Sequence, residues 1–139
     1  RTAMNSKEQT LSIIKPDAVA RNLVEEIKNI FLKNSLFIKD SKKIHISKDE
    51  AAEFYKVHQS KPFYNDLCAY LSSGPIVVMI LEGERAVFAN RKIMGATDPK
   101  KAEDNTIRKL YGISIDKNSV HGSDSVENAK IEIDFFFKD

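Results

Sequence analysis

Between Gly74-Pro75 and Glu82-Gly83 the chain reads Ile76-Val77-Val78-Met79-Ile80-Leu81, six apolar residues without a polar break. A half-exposed strand would alternate apolar and polar residues, and an amphipathic helix would show a stripe. A short unbroken run between turn residues reads instead as a central strand buried on both faces. The other elements have to be arranged around it.

Upstream, Thr10 to Lys15 reads as a strand that Pro16 stops, so Lys15 arrives at its C-terminal end, the sheet edge where α/β folds bind ligands. Asp17 to Arg21 turns the chain. Asn22, with Glu25 three residues on, is expected to cap a helix whose buried face carries Leu23, Ile27, Ile30 and Phe31 and which Asn34 stops. Phe37 to Ile46 reads as a second strand; its polar middle, Lys39 to Lys43, suits a solvated edge. Ser47 and Glu50 form a capping box for a helix with Ala51, Phe54, Tyr55 and Val57 on its apolar side. Pro62 opens another helix carrying Phe63, Leu67, Tyr70 and Leu71. Past the central strand, Glu84 to Met94 is helical. Periodicity then fades from Gly95 to Lys117, with one helical turn near Thr106 to Tyr111. A last helix carries Val126, Ala129, Ile133 and Phe137, with Asp124 as its expected N-cap and Glu127 completing the box. The order is βαββαβ with insertions. It predicts an α+β, ferredoxin-like fold: an antiparallel four-stranded sheet with added helices, mainly on one face.

The 139 residues suit one domain, 1–139, with Arg1-Thr2-Ala3 read as a vector remnant before a start at Met4 and residues 1–6 set aside as disordered or vector-derived. Charge is balanced, 22 basic against 20 acidic residues, so no nucleic-acid or membrane partner is implied and any anion site must be local. Cys68 is the single cysteine, which rules out an intrachain disulfide and fits a reducing, cytoplasmic setting. No apolar run approaches the ~20 residues of a membrane span.

The chemistry gathers near residue 121. Asn118-Ser119-Val120-His121-Gly122-Ser123-Asp124-Ser125 places a histidine beside a glycine, just ahead of a helix start. Helix N-termini favour anions, and a neutral imidazole is a nucleophile near pH 7. That pairing suggests phosphoryl transfer through a phosphohistidine; alone, such a histidine could equally only pack or bond a loop. Lys15, Tyr55, Arg91, Thr97, Arg108, Asn118 and Ser123 are further polar residues at loop edges, and three of them are cations that could neutralise phosphate oxygens. Any single one could be a surface charge, and Phe63 could be core. No Gly-x-x-x-x-Gly-Lys-Ser/Thr loop is present, nor Gly-x-Gly-x-x-Gly after a strand, so P-loop and dinucleotide chemistry lack their motifs. His45, His58 and Cys68 lack zinc-ligand spacing and read as structural. A divalent metal would arrive on substrate phosphates. Lys39, Lys42, Lys43, Lys100 and Lys101 have no interleaved aromatics and read as solubility charges.

These segments resemble the nucleoside diphosphate kinase family over nearly the whole chain: Thr10-Leu11-Ser12-Ile13-Ile14-Lys15-Pro16-Asp17, Lys61-Pro62-Phe63-Tyr64, Ser73-Gly74-Pro75, Met94-Gly95-Ala96-Thr97-Asp98-Pro99, Thr106-Ile107-Arg108 and the octapeptide at 118–125. The resemblance implies exchange of a γ-phosphate between nucleoside tri- and diphosphates, ping-pong through phospho-His121, with Mg²⁺ on the nucleotide. It implies that Lys15, Tyr55, Arg91, Thr97, Arg108 and Asn118 hold phosphates and sugar. Phe63 would stack on the base, and Ser123 and Glu132 would orient His121. It implies that 95–118 is an interface loop, hence a homo-oligomer. Ala18 replaces a common Gly. Lys109-Leu110-Tyr111 replaces a common Gly/Ala-Asp-Phe/Tyr and removes an acidic residue. Longer relatives brace a neighbour with a tail beyond the Phe135-Phe136-Phe137 run, so tetramer and hexamer both stay open. The Gly-Ala-Thr-Asp-Pro wording resembles bacterial members. The alternative is a catalytically weak scaffold or nucleic-acid binder that kept the fold.

Overall fold

The computed structural model describes residues 7–56, 59–115 and 117–137. The expectations for residues 1–6, for Val57 as a helix contact and for His58 as structural lie outside these described residues.

The run at residue 76 is the interior strand β3, Ile76–Glu84, and its first six residues are buried. It pairs antiparallel with β1 (Lys7–Ile14) on one side and β2 (Phe37–Ile44) on the other. A three-residue strand, β4 (Val120–Gly122), pairs with the free side of β1. The sheet order is β2-β3-β1-β4, so β3 lies between β1 and β2 and splits the first βαβ unit. This is the ferredoxin-like order expected from the sequence. The polar strand β2 is at the edge, where Lys39 and Lys43 remain exposed.

Helices cover both faces of the sheet, which corrects the expectation of one. Helices α1 (Pro16–Ala20), α2 (Val24–Lys33), α5 (Ala86–Met94) and α6 (Ile107–Tyr111) give Ala18, Ile27, Phe31, Met94 and Ile107 to the core that holds Val77, Met79 and Leu81. Helices α3 (Lys48–Phe54), α4 (Tyr64–Leu71) and α7 (Val126–Phe137) give Ala51, Cys68, Leu71 and Phe136 to the core around Val78 and Ile76. The cause is β3 itself: with side chains apolar on both sides, each face must be shielded, at about 1.5–3 kcal/mol per fully buried large side chain.

The boundaries differ from expectation for local reasons. β1 begins at Lys7 because pairing with β3 continues to Glu84; Lys15 lies past its end as the N-cap of α1. The expected turn over 17–21 is helical, with Pro16 in the first turn, where its missing N–H costs nothing. Asn22 caps nothing: it sits at φ 60 and reverses the chain, a conformation Asn tolerates, and Leu23 occupies the cap position of α2. β3 runs on through Gly83, so α5 starts at Ala86, after Arg85 turns the corner at φ 50. α4 starts at Tyr64 with Phe63 as N-cap. The capping box at Ser47 and Glu50 forms as expected, with bonds of 3.0 and 2.8 Å. The box at Asp124 does not. Ser125 Oγ accepts from Asn128 N at 3.1 Å, and the Asp124 carboxylate accepts from Asn128 Nδ2 at 2.6 Å. His45 Nε2 bonds the Ser72 carbonyl at 2.8 Å, a structural role.

Candidate active site

His121 is the middle residue of β4 and faces Ile13 across the ladder. Its neighbour Gly122 packs against α5 so closely that a Cβ would lie 2.3 Å from Asn90 Nδ2 and 2.8 Å from Met94 Cε. The glycine therefore lets β4 sit flush on the helix. Ser123 is fully buried and anchored to β1: its amide donates to Leu11 O at 3.2 Å, and Leu11 N donates to its Oγ at 3.3 Å.

Glu132 lies on α7, where the helix folds back over β4. Its Oε1 accepts from Ser123 Oγ at 2.8 Å and stands 3.2 Å from His121 Nε2. A carboxylate only accepts, so this contact puts the ring proton on Nε2. Nδ1 is left with its lone pair, and no described residue bonds it. The imidazole is thus a fixed tautomer with one nucleophilic nitrogen, and its side chain is 22% exposed.

Aromatic rings wall one side of the imidazole. Phe54 meets it edge-on at 5.4 Å between centroids and Tyr55 at 6.4 Å. Burial, and then the charge of Glu132, push the Tyr55 phenol above its ordinary range, so it stays protonated and can donate.

Cations and an amide stand at the end of β1. Lys15 is buried, and its Nζ donates to Asn118 Oδ1 at 3.0 Å; Asn118 Nδ2 donates to the Thr97 carbonyl at 3.1 Å. Arg108, on α6, donates through Nη1 to Gly95 O at 3.0 Å and through Nη2 to Val120 O at 2.8 Å, so it holds the residue just before the histidine. Burial, and then the charge of Arg91, pull its guanidinium down to about 10. A buried guanidinium in the field of a second one would be relieved by an anion. Arg91 also helps hold the exposed Asp124 carboxyl below its usual range, after the larger effect of the Asn128 hydrogen bond.

The fold therefore joins His121, Ser123 and Glu132 directly, Lys15 to Asn118 and Thr97, and Arg108 to the strand of His121. Arg91 is coupled to Arg108 by charge alone. Phe63 stands apart at the head of α4, 45% exposed, with the Lys61 ammonium 5.8 Å from its ring. None of its described contacts reaches His121. Phe54, Asp17 and Tyr70 escaped the sequence reading as site residues. A phenylalanine or tyrosine on a helix face reads as core, and Asp17 reads as a turn former. Asn90 could have been noticed, since it lies between Ala86 and Met94 on the buried face of α5.

A fixed-tautomer histidine beside buried cations, on a ferredoxin-like sheet, defines a phosphotransferase. The chain matches the family described as "Nucleoside diphosphate kinase" over residues 8–139. It is 59% identical over 130 residues to a nucleoside diphosphate kinase of Nitratiruptor sp., covering 94% of this chain and 95% of the relative. It is 58% identical to that of Wolinella succinogenes at the same coverage. A crystal structure of the Aquifex aeolicus nucleoside diphosphate kinase superposes with TM-score 0.93 at 40% identity, over 95% of this chain and 96% of that one. The Encephalitozoon cuniculi enzyme in its apo form gives 0.91 at 37%, over 95% and 90%. The chain belongs to the nucleoside diphosphate kinase family and is a kinase of nucleotide metabolism.

Proposed function

We propose that the γ-phosphate of a nucleoside triphosphate passes to a nucleoside diphosphate through His121. The carrying observation is the Glu132 contact at 3.2 Å, which engages Nε2 and leaves Nδ1 as the ring nitrogen available to attack. In the first half-reaction Nδ1 attacks the γ-phosphorus, the Nδ1–P bond forms and the P–O bond to the departing diphosphate breaks. The Nε2 proton stays on the ring, where Glu132 stabilises the cationic phosphoimidazole. A second diphosphate then reverses the step, giving ping-pong turnover.

Lys15, Arg91, Arg108, Asn118 and Thr97 hold the phosphates and sugar, Tyr55 donates to the moving group, and Phe63 stacks on the base. Ser123 supports this by fixing Glu132. Mg²⁺ enters on the nucleotide phosphates. The donor set here is cationic and amide, which suits phosphate oxygens, and among the described residues no group of three or more His, Cys, Asp or Glu could hold a metal ion. The protein works as a homo-oligomer, tetramer or hexamer, in the cytoplasm, as a single domain. No helix among the described residues is long and apolar enough to cross a membrane. The scaffold or nucleic-acid alternative is not favoured. The lysines that suggest it are split between β2 and the 3₁₀ turn Pro99–Lys101.

Incubation with γ-labelled ATP and Mg²⁺ should leave acid-labile, base-stable label on the protein that GDP removes. Absence of label would overturn the assignment.

A further inference from the structure

We infer that Asp17 is a positioning residue for the phosphate-holding group at the end of β1, acting through Ser119 on Lys15 and Asn118. The Asp17 side chain is 4% exposed, yet it gathers several donors. The Tyr70 hydroxyl donates to Oδ1, Ser119 Oγ donates to Oδ2 at 3.2 Å, and Arg21 Nη2 donates to Oδ2 at 3.1 Å. Its own amide donates to Tyr70 Oη at 2.9 Å. Burial, and then the bond to Asp17, hold the Tyr70 phenol above its ordinary range, so it remains a donor.

Ser119 is what this carboxylate controls. It is fully buried and sits at φ 77, a left-handed conformation that a serine adopts only when its surroundings hold it there. Its carbonyl accepts from Lys15 N at 2.8 Å, and it directly follows Asn118, whose Oδ1 receives the Lys15 ammonium. Release of Ser119 would free both the backbone that seats Lys15 and the amide that aims it. Arg21 extends the brace: the same Nη2 donates to Tyr111 O, at the end of the helix that carries Arg108. One carboxylate thus ties α1, α4, α6 and the 118–119 segment together, and none of these bonds needs the substrate. Tyr70 is on the helix that begins after Phe63, so the base platform and the phosphate cradle share a strut.

This inference rests on the reading that Lys15 and Asn118 hold phosphates, and the test separates the two. Binding of ADP and of AMP would be measured calorimetrically on the folded, full-length protein with the variants Asp17→Asn, Tyr70→Phe and Lys15→Ala. Lys15→Ala should reduce the preference for ADP over AMP; if it does not, the phosphate role of Lys15 fails. Asp17→Asn should reduce the same preference by about tenfold, the scale of one charge-assisted hydrogen bond, and lower the rate of His121 labelling. Tyr70→Phe keeps the ring and removes only the hydroxyl, so it covers the case in which Asp17→Asn does not fold. A merely structural role would weaken ADP and AMP equally, or lower the melting temperature with the preference intact. Either result, alongside a normal Lys15→Ala response, would overturn the inference.

Discussion

Gly122 shows how much of the chemistry rests on one missing methyl group. Its Cβ would meet the tips of Asn90 and Met94, which are 0% and 2% exposed and would have to shift within the core. Gly122→Ala should therefore cost about 1–3 kcal/mol in denaturant unfolding and slow the labelling of His121, because β4 is pushed off α5. His121→Ala should abolish labelling while leaving ADP binding intact by calorimetry. Glu132→Gln keeps the shape of the side chain but can present an N–H to the ring, so the tautomer is no longer fixed. The labelling rate should fall by about 10²-fold or more with nucleotide affinity little changed, measured in single-turnover mixing. At this scale the sequence was informative where short motifs carry the residues: Lys15 directly follows a strand, and His121 and Ser123 sit in one octapeptide. Asp17 and Tyr70 were not legible, because their meeting depends on a contact between residues 53 positions apart.

The helix starts show the same limit at the scale of elements. Ser47-x-x-Glu50 and Asp124-x-x-Glu127 look alike in sequence, yet only the first closes as a capping box. In the second, Ser125 is held one residue further on, and Asp124 is drawn to Asn128 and toward the field of Arg91. Ser47→Ala and Ser125→Ala should each cost about 1 kcal/mol in urea unfolding, whereas Asp124→Ala should cost less. Element type was legible wherever the apolar period was strong, as in α2 and β3. Ends were not, because β1 and β3 extend each other by pairing, an effect no local pattern contains. The two-sided helical cover was implied by the apolar run of β3, but the one-sided expectation followed the element order instead.

For the whole molecule, Lys15 and Arg108 are both buried, with Arg91 close enough to depress Arg108. Burying Arg108 within the field of Arg91 is electrostatically costly, so an anionic substrate should stabilise the protein. ADP at about a hundred times its Kd should add about 2.7 kcal/mol and raise the melting temperature measurably, and Lys15→Ala should blunt the rise. A solution mass would test the proposed homo-oligomer and tell tetramer from hexamer.

The order in which the polypeptide emerges from the ribosome gives the short strand β4 a further meaning. The proposed nucleophile, His121, is paired to the first strand but supplied by residues 120–122, and its carboxylate partner Glu132 comes eleven residues after it. A nascent or prematurely terminated chain can make most of the sheet and still lack the means to carry phosphate. On the proposed mechanism, phosphate transfer therefore needs the chain as far as Glu132, and fragments that stop short of it should be silent rather than half-working.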